Sequence, residues 1–204
     1  MKIVTVSVAA AAALILGLVL GALLLGDEPT PDTASAEAGF ARDMSVHHAQ
    51  AVEMAFLIRD RTDDPAIRSM AYDIINTQRA QLGMFSGWLQ QWDLSQTDAS
   101  IDPMAWADGH AMAGMEGMSI DSYDDMPGMA SDGQLDELAA AQGVEAEKLF
   151  LDLMIEHHRG GVDMAEAVLP LTERDEVQYL ADTIVKGQQA EIDTMEQMLA
   201  DRSN

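Results

Sequence analysis

Hydrophobic and polar positions divide the chain into three regimes. From Ile3 to Gly26 no residue is charged, and only Thr5 and Ser7 interrupt the apolar run. A bilayer core takes about 20 residues of helix, so residues 1–26 are expected to form a transmembrane anchor. Residues 27–39 (DEPTPDTASAEAG) read as a polar tether. From residue 40 onward apolar side chains recur at helical spacing. A first helix is expected over 40–60. The Asp64-Pro65 pair then opens a second, with Asp as N-cap and Pro at the first helical position. Its apolar positions are Ile67, Met70, Ala71, Ile74, Ile75, Leu82, Phe85, Leu89 and Trp92. Residues 93–143 lack a sustained period, apart from a short helix near 134–141 started by Ser131 and Gln134. A further helix follows over 144–169, interrupted by Pro170. Thr172 and Asp175 then form a capping-box pattern before a last helix that buries Val177, Leu180, Ile184, Ile192, Met195 and Leu199.

The pattern repeats at a constant offset of 110 residues. "FARDMSVHHAQAVEMA" (40–55) aligns without gaps on "FLDLMIEHHRGGVDMA" (150–165). The same offset carries Ile74, Gln78, Leu82 and Leu89 onto Ile184, Gln188, Ile192 and Leu199. Two helical hairpins, 40–92 and 144–202, therefore share one plan. Together they predict an all-α four-helix bundle over 40–202, built from duplicated hairpins joined by a long Met-rich crossover at 93–143. A two-fold relation between the halves would run the first and third long helices antiparallel, with their motifs meeting near mid-bundle.

Composition narrows the functional classes. Hydrophobic residues make up 48% and aromatics only 5%, which favours aliphatic, methionine-filled helices over sheets. The net charge of −24 excludes nucleic acid as a partner, because phosphate backbones recruit Lys and Arg clusters. Such an acid excess is a solvated surface, and it also concentrates cations near the protein. Cysteine is absent, which removes disulfides, thiolate metal sites and cysteine nucleophiles, while the 15 methionines leave thioether as the soft ligand. Lys2 precedes the apolar run and Asp27 and Glu28 follow it, which places the domain on the extracytoplasmic side. A cleaved signal with "ASA" at 34–36 is the rival; the run is longer than a usual signal core, and Ala36 lies ten residues past its end. Ala9, Ala13, Gly17 and Gly21 form a small-residue stripe on which two anchors would pair as a homodimer, although such residues are common in membrane helices anyway.

The candidate chemistry lies in the repeat. Met44, His47 and Met54 fall on one helical face, and Met154, His157 and Met164 repeat the arrangement. His48 and His158 point about 100° away from their neighbours, toward a groove or an adjacent helix. Imidazole with thioether favours Cu(I) or Ag(I) over hard cations. The competing explanation is structural: methionine fills cores, and Gln78 and Gln188 would hydrogen-bond the histidines in a polar core layer. A di-iron centre needs Glu-x-x-His, which occurs nowhere in the chain. No Ser-His-Asp grouping, phosphate loop or His-Glu-x-x-His motif stands out, so no catalytic residue is assigned. The crossover adds His110, Met112, Met115, Met118, Met126 and Met129, beside Met104, as a second candidate set for metal capture; a hydrophobic cover over the bundle is the alternative.

The paired M-x-x-H-H-x-x-x-V-x-M-A pattern, followed each time by a helix bearing the aligned Gln, resembles the domain-of-unknown-function 305 (DUF305) family. The run "DDMPGMASDGQLDELAAAQGVEAEKLFLDLMIEHH" is similar to its actinobacterial branch. The resemblance covers about residues 38–202. It implies a ferritin-like four-helix bundle, secreted or membrane-anchored, with some members linked to copper or silver. On that basis Met44, His47, His48, Met54, Met154, His157, His158 and Met164 carry over as candidate ligands. The expected function is sequestration or transfer of Cu(I) or Ag(I), the alternative being a non-metal interaction module. A redox enzyme on the same bundle is a third reading. One departure concerns Gly160 and Gly161, which stand where the first half has Gln50 and Ala51. Each glycine costs about 1 kcal/mol of helix stability relative to alanine. They are expected either to admit a close neighbour or to loosen the second site.

Overall fold

The structure, a computed structural model, describes residues 29–107 and 120–202. Among them are five α-helices, three short 3-10 turns and no strand. The first helix, α1, spans Ala36–Arg59. It starts inside the expected tether because Ser35 is extended and its hydroxyl accepts the Ala38 N–H, capping the helix four residues early. Helix α2 is Pro65–Gln91, capped as expected by Asp64, whose carboxylate accepts from Ala66 and Ile67. Helix α3, Asp132–Ala140, opens on a capping box between Ser131 and Gln134. Helix α4 is Gly143–Val168, and a 3-10 turn at Leu169–Leu171 absorbs Pro170. Helix α5 is Asp175–Arg202. The expected capping box before it is corrected: the Thr172 hydroxyl accepts the Arg174 N–H and bonds Glu37 across the bundle at 2.8 Å.

The four long helices form two hairpins, α1–α2 and α4–α5, and α1 packs on α4 between them. The described residues from Pro31 onward make one compact unit. Its interior divides into two apolar clusters. One holds Phe40 and Met44 from the start of α1, Phe85 and Leu89 from the end of α2, and Met164 and Val168 from the end of α4. The other joins Met54 and Ile58 from the end of α1 to Phe150 and Met154 from the start of α4, with Ile67, Ile74 and Met195. Start meeting end at both clusters fixes α1 and α4 as antiparallel, as the repeat predicts. Each fully buried side chain of this size contributes about 1.5–3 kcal/mol, which is what holds the amphipathic helices together. At one end, Arg202 pairs with Glu147 at 2.7 Å and Asp64 at 2.8 Å, tying the C-terminal helix to the first hairpin.

The crossover is anchored to α1 at both of its described ends. The buried Asp43 carboxylate accepts from the Met104 N–H and from Trp106 Nε1, both at 2.8 Å. Further on, the Gln50 amide brackets Ala130, accepting from its N–H and donating to its C=O, each at 2.8 Å. Met104 and Met126 are buried and Met129 partly so, packed against the first of the two clusters. These three are therefore packed into the bundle rather than exposed. His110, Met112, Met115 and Met118 lie outside the described residues, as do the expected anchor over 1–26 and its small-residue stripe. No helix among the described residues is long and apolar enough to cross a membrane.

Candidate metal centre

Between the two apolar clusters lies a polar layer contributed by the repeated motif. Helical spacing aims His47 from α1 and His157 from α4 at one another, and their rings meet with centroids 3.8 Å apart and planes tilted by 32°. His48 and His158, one position on, turn toward the other helix of their own hairpin. His48 Nε2 bonds Gln81 Oε1 on α2 at 2.7 Å, and His158 Nε2 bonds Glu191 Oε2 on α5 at the same 2.7 Å. Both bonds join residues 33 apart in sequence, so the duplication is geometric as well as textual. Within each pair the ring centroids lie 6.4 Å apart. The four imidazoles thus form a chain of neighbouring rings, 48–47–157–158, running from Gln81 to Glu191.

All four histidines are completely buried, as are Met44, Met54, Met154 and Met164. Met44 and Met164 flank the layer on one side, Met54 and Met154 on the other. Burial lowers the pKa values of His47, His48 and His157, because charging an imidazole away from water is costly. His47 falls from 6.5 to about 4, with the Pro127 carbonyl bond opposing the shift and the nearby His158 adding to it. His48 falls to about 3, through burial first and then its neighbour His47. His157 lies well below its ordinary value for the same reasons. Neutral imidazole is the form that binds metal.

Hydrogen bonding leaves much of this layer unpaired. Among the described residues, the Nδ1 atoms of all four histidines, Nε2 of His157, and both amide atoms of Gln78 and of Gln188 are buried without a protein partner. A buried polar group left unsatisfied costs about 1–3 kcal/mol. The expected His–Gln layer is therefore corrected: Gln78 and Gln188 hydrogen-bond none of the histidines, and Gln81 partners His48 instead. Sequence reasoning missed Gln81 and Glu191, although the 110-residue offset pairs them; one is an amide and the other an acid, so identity matching passes over them. It also missed Pro127, whose carbonyl accepts from His47 Nε2 at 3.0 Å. Among the described residues no three His, Asp or Glu side chains are arranged to hold a metal ion by themselves.

The glycines after the second pair have a definite use. A Cβ on Gly160 would lie 2.1 Å from the Pro127 carbonyl oxygen, so the missing side chain admits the crossover backbone. A Cβ on Gly161 would lie 2.4 Å from Gln188 Oε1. Gly128, at φ +72°, sits over the α4 backbone, where a Cβ would meet the Glu156 carbonyl oxygen at 2.3 Å.

Fold and site together define a duplicated all-helical protein with a buried His–Met layer at the junction of its two halves, consistent with a ferritin-like helical fold. The chain belongs to the DUF305 family, a domain of unknown function whose family model matches residues 37–199. Among solved structures it is similar to a candidate secreted DUF305 protein from Streptomyces coelicolor, at 44% identity and a TM-score of 0.74, over 84% of this chain and 96% of that one. A DUF305 fragment from Deinococcus radiodurans is 32% identical with a TM-score of 0.68, covering 85% and 99% of the two chains. CopM in its Cu(I)-bound form is 27% identical with a TM-score of 0.61, over 82% and 96%. CopM has also been solved in Cu(II)-bound and Ag-bound forms. No curated protein matches the chain.

Proposed function

We propose that this protein is an extracytoplasmic metal-handling protein that sequesters or hands on Cu(I) or Ag(I). Its donors are drawn from His47, His48, His157 and His158 with Met44, Met54, Met154 and Met164. One observation carries the reading: nine buried donor and acceptor atoms of the central layer lack a protein partner while fully buried thioethers flank them on both sides. Neutral imidazole and thioether suit a soft monovalent ion of low coordination number. Among the described residues no three His or carboxylate groups converge, which favours a donor set that includes thioether. The likeness to CopM, solved with copper and with silver, supports the same chemistry. The likeness to a candidate secreted protein supports an extracytoplasmic setting. The apolar run before the domain then serves as its membrane anchor.

A second reading, a polar layer that only fixes the packing of the helices, is favoured by the three hydrogen bonds from His47, His48 and His158. Titration of the metal-free protein with Cu(I) against a competing chelator separates the two. The quadruple variant M44L/M54L/M154L/M164L keeps core volume and all the histidine hydrogen bonds. Tight binding by the wild type and weakened binding by this variant is the expected result. No binding by the wild type overturns the metal reading; equal binding by both overturns the thioether donors.

A further inference from the structure

Three of the four histidines are held by the same ring atom. His47 Nε2 faces the Pro127 carbonyl, His48 Nε2 faces the Gln81 amide oxygen, and His158 Nε2 faces the Glu191 carboxylate. Each of those oxygens is an acceptor, so each Nε2 must carry the proton and donate. A neutral ring protonated at Nε2 has its lone pair on Nδ1. In all three residues Nδ1 is buried and has no protein partner. His157 is the exception: neither of its nitrogens makes a well-formed hydrogen bond, and the His47 backbone is the group that acts on it.

The partners also differ between halves. Gln81 and Glu191 occupy equivalent places at equal distance, yet one is a neutral amide and the other a carboxylate, 23% exposed at its side chain. A carboxylate accepting from a ligand histidine fixes its tautomer and makes its other nitrogen a stronger donor. An amide fixes the tautomer alone.

We propose that Gln81, Glu191 and the Pro127 carbonyl are positioning groups that present His48, His158 and His47 as Nδ1 donors, each half offering its own to a soft ion together with thioether rather than all three meeting on one ion, and that Glu191 makes the second half the stronger donor. The proposal rests on the metal-handling reading above. It assigns the donor atom and ranks the halves, which that reading leaves open. Asymmetry of this kind gives an ion a preferred half within a near-symmetric layer.

The test uses full-length protein labelled with 15N-histidine. Long-range proton–nitrogen spectra of the metal-free protein at neutral pH are expected to show His47, His48 and His158 protonated at Nε2. Adding Ag(I), which is spectroscopically silent and redox-inert, is expected to move their Nδ1 resonances. Glu191→Gln keeps an acceptor oxygen, so the His158 tautomer stays while Ag(I) affinity falls by about 10-fold, the lower end of what such partners contribute. Gln81→Glu is expected to tighten binding, and Gln81→Leu to release the His48 tautomer. An Nδ1–H tautomer in the metal-free protein overturns the positioning role. Shifts at Nε2 on Ag(I) addition overturn the donor assignment alone, and unchanged affinity in Glu191→Gln overturns the ranking. Correct tautomers with no Ag(I) shift at all overturn the metal reading itself, and the donor role falls with it.

Discussion

The two hairpins are copies in their frame and differ where the crossover lies. Both place a paired histidine so that the second ring bonds a residue 33 positions on, at 2.7 Å. They part at the next turn of the helix. Gln50 in α1 reaches out and brackets Ala130, whereas Gly160 in α4 withdraws to let Pro127 in. A bundle of two related halves has one crossover, and a single strand of chain cannot obey the relation between them. Its footprint on α1 and α4 is therefore the place where duplicated residues must diverge. The same strand supplies the carbonyl that holds His47 but none for His157.

Acid should act on both halves, and that gives the largest expected effect. His47, His48 and His157 stay neutral in the fold down to pH values well below 6.5, but charge freely when unfolded. Below pH 6.5 the unfolded chain therefore binds more protons, and stability falls as pH falls. Each such histidine contributes up to about 1.4 kcal/mol per pH unit in that window. Asp43 works the other way: burial raises its carboxyl to about 6, so between there and 3.8 the fold binds its proton more tightly. Asp163, half-buried, is raised in the same direction by burial; three histidines against these two carboxyls leave a net loss. Urea denaturation of the metal-free protein should show a clearly lower midpoint at pH 5 than at pH 7. A midpoint that holds or rises would show that the histidines are not buried as neutral rings.

The next largest effect comes from exchanging the divergent residues. Gly160→Ala gains about 1 kcal/mol of helix propensity, yet forces a methyl group against the Pro127 backbone. Overpacking typically costs about 1–3 kcal/mol and more against backbone, so a net loss of about 2 kcal/mol is expected. Gln50→Ala, on the opposite side of the same strand, removes two hydrogen bonds to Ala130 and should cost about 1–2 kcal/mol. Chemical denaturation checks both. A stabilised Gly160→Ala would mean that the crossover does not press on α4.

The frame was legible in the sequence because it is periodic. The 110-residue offset, the Asp64-Pro65 cap and the Ser131/Gln134 capping box are local signals, and each appears where it was expected. The antiparallel meeting of the motifs followed from symmetry alone. What stayed hidden depends on chain brought in from elsewhere. Nothing in residues 126–130 announces that their backbone will lie on His47 and Gly160. Gln78 and Gln188 drew attention because they are identical, yet the working partners are the unlike pair Gln81 and Glu191. Thr172 looked like a cap but is engaged by Glu37, a contact no local pattern encodes.

The smallest effect tests whether Gly160 is special or merely a helical glycine. Gly83 in α2 and Gly187 in α5 also lie inside long helices, one in each hairpin, and a Cβ there would meet nothing within 4 Å. Neither has a positive φ, so alanine fits their backbone without strain. Gly83→Ala and Gly187→Ala should each stabilise the protein by about 0.5–1 kcal/mol, through reduced freedom of the unfolded chain. In a domain of this size that corresponds to a rise in Tm of about 1–4 °C. The two gains should be similar, because both sites are solvent-facing and far from the crossover's footprint. A loss at either would place an unrecognised neighbour on that hairpin. Equal gains there, set against a loss at Gly160, would isolate the close approach of Pro127 as the reason a glycine stands in α4.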